Sequence, residues 1–379
     1  MKKLPISGIR RIFELAEKVS DVVNLSIGEP DFPTPKNIKE AAKKAVDEGF
    51  TRYTPNPGFL ELREAIAEKL KKENNIHADP KDEVVVTAGS TQAIFLLISV
   101  IIDEGDEVLI PTPAFVAYAP VTLFAGGKPV EVPMVEEEGY KIDVDLLKRK
   151  LTKRTKLFIL NSPCNPTGSV LTRKNIEEVI QLAMEHDIYV LSDEMYEKYI
   201  YDGEHFSPAS LEGVKDRVIT VNGFSKTYAM TGWRIGYYVA PKHIVNEAIK
   251  LQMYNAVCPV SFIQKAAVEA LKGPQDFIKN VIKEYDEKRR LAYKLLKEME
   301  GVEVVEPKGA FYIFPRITYA KDSNKFCEEL LIRYKVAVVP GSAFGESGEG
   351  HIRISYATSK EKLELGLRRL SDSLKVKGC

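Results

Sequence analysis

From residue 84 onward, short runs of β-branched and apolar residues alternate with longer stretches of helical periodicity. The runs lack the polar alternation of a half-exposed strand, so both faces of each strand are expected to be buried. Buried strands that alternate with helices predict a mostly parallel sheet with helices on both sides. The predicted strands are 84–87, 107–110, 129–132, 156–160, 188–192, 217–221 and 235–240, with helices near 91–102, 114–125, 172–186 and 242–252.

The two ends of the chain have a different pattern. Apolar positions recur at helical spacing in three early segments, and a glycine- and proline-rich loop at 24–33 separates the first two. A long helix dense in charged residues follows the sheet region, and short strands then alternate with helices. The predicted helices are 8–18, 36–47, 59–72, 276–300, 323–334 and 360–375, and the late strands are 310–314, 336–339 and 351–355.

These patterns predict an α/β fold with two unequal parts. We expect a large domain, residues 49–278, to carry a mostly parallel seven-stranded sheet covered by helices. A smaller α+β domain would be formed by both termini, with residues 1–48 packing against residues 279–379. Ligands bind at the carboxyl ends of the strands in such sheets, so that edge is where a site is expected.

Charge and hydropathy disfavour some classes of binding partner for this protein. The 379 residues include 54 basic and 54 acidic side chains, and this balance disfavours nucleic acid or an anionic membrane as partner. The longest apolar run, 93–102, is half of the ~20 residues that a membrane span needs. Residues 1–5 and the charged residues Arg10, Arg11 and Glu14 do not form a secretory signal. We expect a cytoplasmic protein that acts on small molecules.

The cysteines and histidines are scattered. Cys164, Cys258, Cys327 and Cys379 form no C-x-x-C pair, and the five histidines form no H-E-x-x-H motif. This spacing predicts neither disulfides nor a protein metal site, and it suits a reducing compartment.

The first predicted strand ends in a sequence that can bind an anion. Gly89, Ser90 and Thr91 lie between strand 84–87 and an apolar helix. Backbone N–H groups at a helix start, together with hydroxyls, bind phosphate groups well. A plain helix cap without a ligand remains an alternative, and the G-x-x-x-x-G-K-[ST] spacing of a nucleotide loop is absent.

The next strand ends carry an amide, an acid and a phenol. Asn165 lies in the rigid loop Asn-Ser-Pro-Cys-Asn-Pro-Thr-Gly at 161–168, where its amide could bind a phenolic oxygen or a carboxylate, or could only shape a turn. Asp193 ends a buried strand, a costly position unless a cation lies nearby, although it could also cap a helix. Tyr196 follows three residues later and could contact the same ligand.

The last of these strand ends leads to Ser225 and Lys226, and Arg234 lies eight residues beyond the lysine. A lysine next to a second cation is a better amine nucleophile, whereas a solvated surface lysine is the alternative. Together the strand ends predict an anion cradle, an amide, an acid, a phenol, a lysine and an arginine at one edge. Pyridoxal 5′-phosphate requires this set: a lysine for its aldehyde, a cradle for its phosphate and a carboxylate for its ring nitrogen.

The motifs at 161–168 and 192–196 and the pair Lys226 and Arg234 resemble the class I branch of fold-type I pyridoxal-phosphate-dependent aminotransferases. That branch includes archaeal aromatic and aspartate aminotransferases, and the similarity runs from residues 28–32 to residues 353–357. The resemblance implies that Lys226 forms the Schiff base and shuttles the proton, and that Asp193 pairs with the ring nitrogen. It further implies that Asn165 and Tyr196 bind the ring oxygen.

The same resemblance implies the remaining contacts. Phe115 would stack on the ring, Arg353 would bind the substrate α-carboxylate, and the backbone of Gly28 would close over the substrate. Tyr53 would reach the phosphate of the neighbouring subunit, which implies a homodimer with shared active sites. The implied phosphate ligands are Gly89, Ser90, Thr91, Ser225 and Arg234.

The substrate is the less determined part of the resemblance. Some bacterial aspartate-specific relatives carry lysine at the position of Thr91, so the absence of lysine favours aromatic donors or a broad specificity, with aspartate as the alternative donor. The expected acceptor is 2-oxoglutarate. A lyase or synthase on the same fold shares the cofactor residues and stays open. A ligand-sensing module of a transcription regulator is disfavoured, because such proteins carry a DNA-binding segment and only 27 residues precede Gly28.

Overall fold

The computed structural model describes residues 8–375, so residues 1–5 and Cys379, considered above, lie outside the described residues. The α-helices of this range are α1 Gly8–Ala16, α2 Lys36–Asp47, α3 Leu60–Asn74, α4 Ser90–Ile101, α5 Tyr118–Phe124, α6 Val144–Lys150, α7 Arg173–Glu185, α8 Lys242–Asn255, α9 Ser261–Lys272, α10 Asp276–Lys297, α11 Ser323–Tyr334 and α12 Lys360–Lys375. The strands are β1 Val23–Asn24, β2 Val84–Thr87, β3 Glu107–Thr112, β4 Lys128–Pro133, β5 Thr155–Asn161, β6 Tyr189–Asp193, β7 Val218–Gly223, β8 Gly236–Val239, β9 Val302–Glu303, β10 Tyr312–Ile313, β11 Arg316–Ile317, β12 Val336–Ala337, β13 Val339–Pro340 and β14 Ile352–Ser355.

A seven-stranded sheet forms the centre of the molecule. Its strand order is β2-β8-β7-β6-β5-β3-β4, and β8 runs antiparallel to both of its neighbours while the other pairs are parallel. The predicted α/β fold with a mostly parallel seven-stranded sheet is therefore confirmed. Its strands lie in the predicted places, and parallel pairing brings their carboxyl ends to one edge.

Strand β5 shows why these runs are apolar throughout. Leu157 and Ile159 belong to a core with helices α4 and α8. Phe158 and Leu160, which point to the opposite face, belong to a separate core with helices α6 and α7. Successive side chains of a strand alternate between faces, so burial on both sides requires an unbroken apolar run.

The predicted helix at 114–125 is shorter in the structure and begins only at Tyr118. The N–H of Ala114 donates a hydrogen bond of 2.8 Å to the carbonyl oxygen of Phe344. This hydrogen bond joins residues that are far apart in the sequence, so the apolar periodicity of 114–125 does not predict it. The shortened helix leaves Phe115 in a loop beside the sheet edge. Helices α6 and α9 were not predicted.

The N-terminal segment contacts both parts of the chain. Strand β1 pairs in parallel with β12, while Ile38 and Ala42 of α2 share a core with Leu62 and Ala266 of the sheet-bearing part. Domain boundaries at residues 48 and 278 therefore stay a prediction.

Two further features concern the described chain as a whole. Among the described residues, no helix is both long and apolar enough to cross a membrane. Cys164, Cys258 and Cys327 are free thiols.

Candidate active site

The carboxyl ends of β2, β5, β6 and β7 border one cavity of about 250 Å³. Most of the site residues predicted from the sequence line this cavity together. They are Gly28, Ser90, Thr91, Phe115, Asn165, Asp193, Tyr196, Ser225, Lys226, Arg234 and Arg353.

Lys226 lies three residues beyond the end of β7 and is half-buried. Its Nζ donates a hydrogen bond of 2.6 Å to the carbonyl oxygen of Gly28, and its own carbonyl accepts one of 2.8 Å from Tyr199. Burial and the guanidinium of Arg353 lower the pKa of the ammonium group to about 8, with a smaller contribution from Arg234. More free amine is therefore present near neutral pH than for an ordinary lysine, as a nucleophile requires.

Asp193 is the last residue of β6 and is buried. The hydroxyl of Tyr118 donates a hydrogen bond of 2.7 Å to its carboxylate, and the N–H of Met195 donates one of 3.2 Å. Turns rather than a helix follow Asp193, so the helix-cap alternative does not apply. Burial raises the pKa of this carboxyl to about 6 despite the bond from Tyr118. Among the described side chains no cation forms an ion pair with it, and Lys226 lowers its pKa only as a minor influence.

The start of helix α4 is built to accept an anion. Gly89 precedes it with a φ of +85°, and a Cβ at this position would collide with the guanidinium of Arg234. Glycine therefore lets that cation lie against the helix start. In the described chain no side chain caps α4, so the hydroxyls and first N–H groups of Ser90 and Thr91 are available to a ligand.

Arg353 is a buried guanidinium on β14. Its Nη1 donates a hydrogen bond of 3.0 Å to Asn165 Oδ1, and its Nη2 donates one of 2.7 Å to the carbonyl oxygen of Ser26. Its Nε is buried without a partner, and no carboxylate of the described chain pairs with this side chain. A buried cation without a counter-ion is costly, so the arrangement suits the carboxylate of a ligand.

Two predicted site residues do not line the cavity. Gly89 packs behind Arg234, which does line it. Tyr53 is 85% exposed and lies outside the cavity of its own chain.

Several residues of the site were missed in the sequence. Tyr312 lies in the predicted strand 310–314, where the run Ala-Phe-Tyr-Ile-Phe indicates only a core strand. Tyr118 lies within the predicted helix 114–125, where nothing in the pattern marks it as a site residue. Asn161 could have been found, because it ends β5 as Asp193 ends β6. The missed lining residues are Ser26, Asn161, Met195, Thr231 and Tyr312.

A buried polar network lies directly behind Asp193. Glu194 accepts a hydrogen bond of 2.8 Å from His205 Nε2, and Glu197 pairs with Lys69 and accepts one of 2.7 Å from Asn74. Burial opposes the charge of Glu197, but Lys69 and His205 outweigh it and lower its pKa to about 2. The group Glu194, Glu197 and His205 has the composition of a metal site. The ammonium of Lys69 already supplies a cation there, so we interpret the network as structural.

Comparison with known proteins identifies the family. The family model described as "Aminotransferase class I and II" matches residues 20–370. The chain is 56% identical to an aspartate aminotransferase of Pyrococcus abyssi over 378 residues, covering 98% of this chain and 96% of the relative. It is 52% identical to aromatic-amino-acid aminotransferase 2 of Thermococcus litoralis over 375 residues, covering 98% and 96%. The crystal structure of an aromatic aminotransferase from Pyrococcus horikoshii OT3 superimposes with a TM-score of 0.92 at 56% identity, covering 98% of this chain and 99% of that one.

Members of this family use pyridoxal 5′-phosphate, and the cavity fits that group. It offers an amine with a lowered pKa, a buried carboxylate without a cationic partner, and a free helix start beside an arginine. An aldehyde, a protonated ring nitrogen and a phosphate would match these three features in turn. The chain therefore belongs to the class I and II aminotransferases and is a pyridoxal-phosphate-dependent transaminase.

Proposed function

We propose that this enzyme transfers the amino group preferentially from aromatic amino acids to 2-oxoglutarate, with aspartate as the second-choice donor. The observation that supports this proposal is the set of cations that line the cavity. Among the described residues these are Lys226, Arg234 and Arg353. We propose that Lys226 is the nucleophile, that Arg234 binds the phosphate and that Arg353 binds the α-carboxylate. Thr91 is neutral, so no cation remains to pair with the side-chain carboxylate of aspartate.

The reacting atoms would be served by five side chains. Pyridoxal 5′-phosphate, when bound, supplies an aldehyde that exchanges amines and a ring that takes up the electrons left at the substrate Cα. Lys226 Nζ moves the Cα proton, Asp193 holds the proton on the ring nitrogen, and Asn165 and Tyr196 bind the ring oxygen. Arg353 orients the substrate through its α-carboxylate. The amino group stays on the enzyme when the first oxo acid leaves, and the second oxo acid then enters the same cavity, so the kinetics are ping-pong.

The other predicted residues would anchor the cofactor. We propose that Phe115 stacks on the ring and that Gly28 covers the substrate, since its carbonyl oxygen already contacts Lys226 Nζ. The proposed phosphate ligands are Gly89, Ser90, Thr91, Ser225 and Arg234.

The donor preference is tested by a panel of amino acids with 2-oxoglutarate. We expect tyrosine and phenylalanine to exceed aspartate in kcat/KM by about tenfold or more, because burying an unpaired carboxylate is costly. In the Thr91→Lys variant aspartate should gain relative to tyrosine, since a cation is added at this position. An aspartate kcat/KM above that of tyrosine in the unmodified enzyme would refute the preference.

We further propose a homodimer with shared active sites, in the cytoplasm. An exposed apolar patch supports the dimer: Tyr53 is 85% exposed, Tyr254 is 89% exposed, and Val257 and Val260 are also exposed. Asn56 Nδ2 donates a hydrogen bond of 2.7 Å to the Val257 carbonyl, which joins the two segments into one surface. Exposed aromatic patches of this kind are typical of interfaces. The free thiols suit a reducing cytoplasm.

Mixing two impaired variants tests the shared site. Tyr53→Ala and Lys226→Ala dimers should each be impaired, whereas their heterodimer should contain one intact site made of Lys226 from one subunit and Tyr53 from the other. Random reassortment into heterodimers should restore roughly a quarter of the wild-type activity. Activity no greater than the mean of the two separate variants would show that Tyr53 does not serve the partner.

A further inference from the structure

Tyr312 connects three residues of the active site. It lies on β10, which pairs with β14 so that Tyr312 is opposite Ser355, and it is buried. Its hydroxyl lies 2.8 Å from the hydroxyl of Tyr196. The guanidinium of Arg353 lies 4.5 Å from the centre of its ring.

The third connection is to Gly28. A Cβ at Gly28 would lie 2.7 Å from the Tyr312 hydroxyl, so any other residue there would displace that oxygen. The carbonyl of the same glycine accepts the hydrogen bond from Lys226. Gly28 therefore lies between the Tyr312 hydroxyl and Lys226, and its hydrogen bond to the lysine helps to hold it beside Tyr312.

The two hydroxyls can be oriented in only one useful way. Each phenol has one proton, and in the pair either oxygen can be the donor. If Tyr196 turns its proton toward an oxygen of a bound molecule, Tyr312 must donate to Tyr196. Among the described residues, the Tyr312 hydroxyl forms a hydrogen bond with the Tyr196 oxygen and with no other group. Donation into Tyr196 polarises its O–H bond and strengthens it as a donor.

The ring of Tyr312 has a separate task. Arg353 has no carboxylate partner in the described chain, and its Nη atoms are held by Asn165 and by the Ser26 carbonyl. The face of Tyr312, together with that of Phe344 at 5.2 Å, stabilises the charge and the plane of this guanidinium.

We propose that Tyr312 is a positioning residue with two separable functions: its hydroxyl directs the proton of Tyr196 into the cavity, and its ring holds Arg353 in the plane that receives the substrate carboxylate. This inference rests on the proposed roles of Tyr196 and Arg353. The hydroxyl acts on the reacting ring and therefore on kcat. The ring acts on substrate binding and therefore on KM.

Two substitutions separate the functions. Tyr312→Phe removes only the hydroxyl, and it should lower kcat about fivefold to tenfold with KM for tyrosine within about twofold of wild type. Tyr312→Leu also removes the aromatic face, and it should add a rise in KM of about tenfold. Tyr356→Phe is the matched control, because it removes another buried hydroxyl, bonded at 3.3 Å to the Ala310 carbonyl, that does not line the cavity. The control should retain wild-type kcat and KM.

A double-mutant cycle with Tyr196→Phe tests the coupling itself. Tyr312→Phe should have no further effect in the Tyr196→Phe background, because the hydroxyl that it directs is gone. The same cycle is measured for binding of pyridoxal 5′-phosphate to the ligand-free protein, followed by the fluorescence of Trp233, the single tryptophan of the chain. Binding should weaken about threefold in Tyr312→Phe and not in Tyr356→Phe.

The outcomes are distinguishable. Equal effects of Tyr312→Phe in both backgrounds, or a Tyr312→Phe variant that behaves like Tyr356→Phe, would overturn the role of the hydroxyl. A Tyr312→Leu variant with the KM of Tyr312→Phe would overturn the role of the ring. If the wild type fails to transaminate the chosen donors, the proposed function fails, whereas the binding cycle still reports whether the two hydroxyls are coupled.

Discussion

Replacing Lys226 with alanine should lower kcat for transamination by about 10⁴-fold or more, because one amine is lost as both nucleophile and proton carrier. Its Nζ is the group in the cavity whose pKa is lowered to about 8. The remaining residues of the cavity can still bind the phosphate and the substrate. Single-turnover kinetics with saturating donor should therefore show slow chemistry after normal binding.

Lys226→Arg separates the amine from the charge. Arginine retains the cation next to Gly28 but stays protonated at any accessible pH, so it provides no free amine. We expect it to be as inactive as Lys226→Ala. Turnover by either variant within about a hundredfold of wild type would exclude Lys226 as the proton carrier, because acid–base groups contribute about 10²–10⁴-fold.

Asp193→Asn should lower kcat by about 10³-fold, since the neutral amide keeps the shape of the side chain but not the charge that holds a proton on the ring nitrogen. The same substitution should raise the melting temperature of the ligand-free protein. The structure explains why activity falls while stability rises: the carboxylate is buried, and among the described side chains it has no ion-pair partner. Apart from a minor attraction to the ammonium group of Lys226, its negative charge stabilises only a bound cation.

The pH dependence of this stabilisation follows from the raised pKa. Below the ordinary value of 3.8 the carboxyl is protonated in both the folded and the unfolded state, and the substitution has little effect. As the pH rises from 3.8 through about 6, the unfolded state ionises first, so folding is progressively penalised. Above pH about 6 the penalty is complete, on the order of 2–3 kcal/mol for a shift of this size.

Thermal unfolding of the ligand-free protein at about pH 8 and about pH 4 measures this difference. Asp106→Asn is a control, because Asp106 is also buried but has Arg154 Nε at 3.8 Å and accepts the N–H of Asp103. That variant should lose stability and retain activity. A lower melting temperature for Asp193→Asn at the higher pH would contradict the explanation.

Local patterns were sufficient for the frame of the site. Apolar runs such as 156–160 and 188–192 predict buried strands, and parallel strands bring their carboxyl ends to one edge, so the amino-acid pattern alone places Asn165, Asp193 and Lys226 together. Helix boundaries were less predictable. The helix near 114–125 begins late because Ala114 bonds to Phe344, more than two hundred residues away.

The sequence by itself determined the chemistry, because residue types at successive strand ends match the parts of one cofactor. Only the tertiary structure decided how those groups are tuned. Lys226 owes its lowered pKa to burial and to Arg353 more than to the nearby Arg234, and Asp193 is held by Tyr118. Arg353 reaches Ser26 across 327 positions of the chain. Such contacts come from the packing of distant elements, and neither periodicity nor spacing along the chain encodes them.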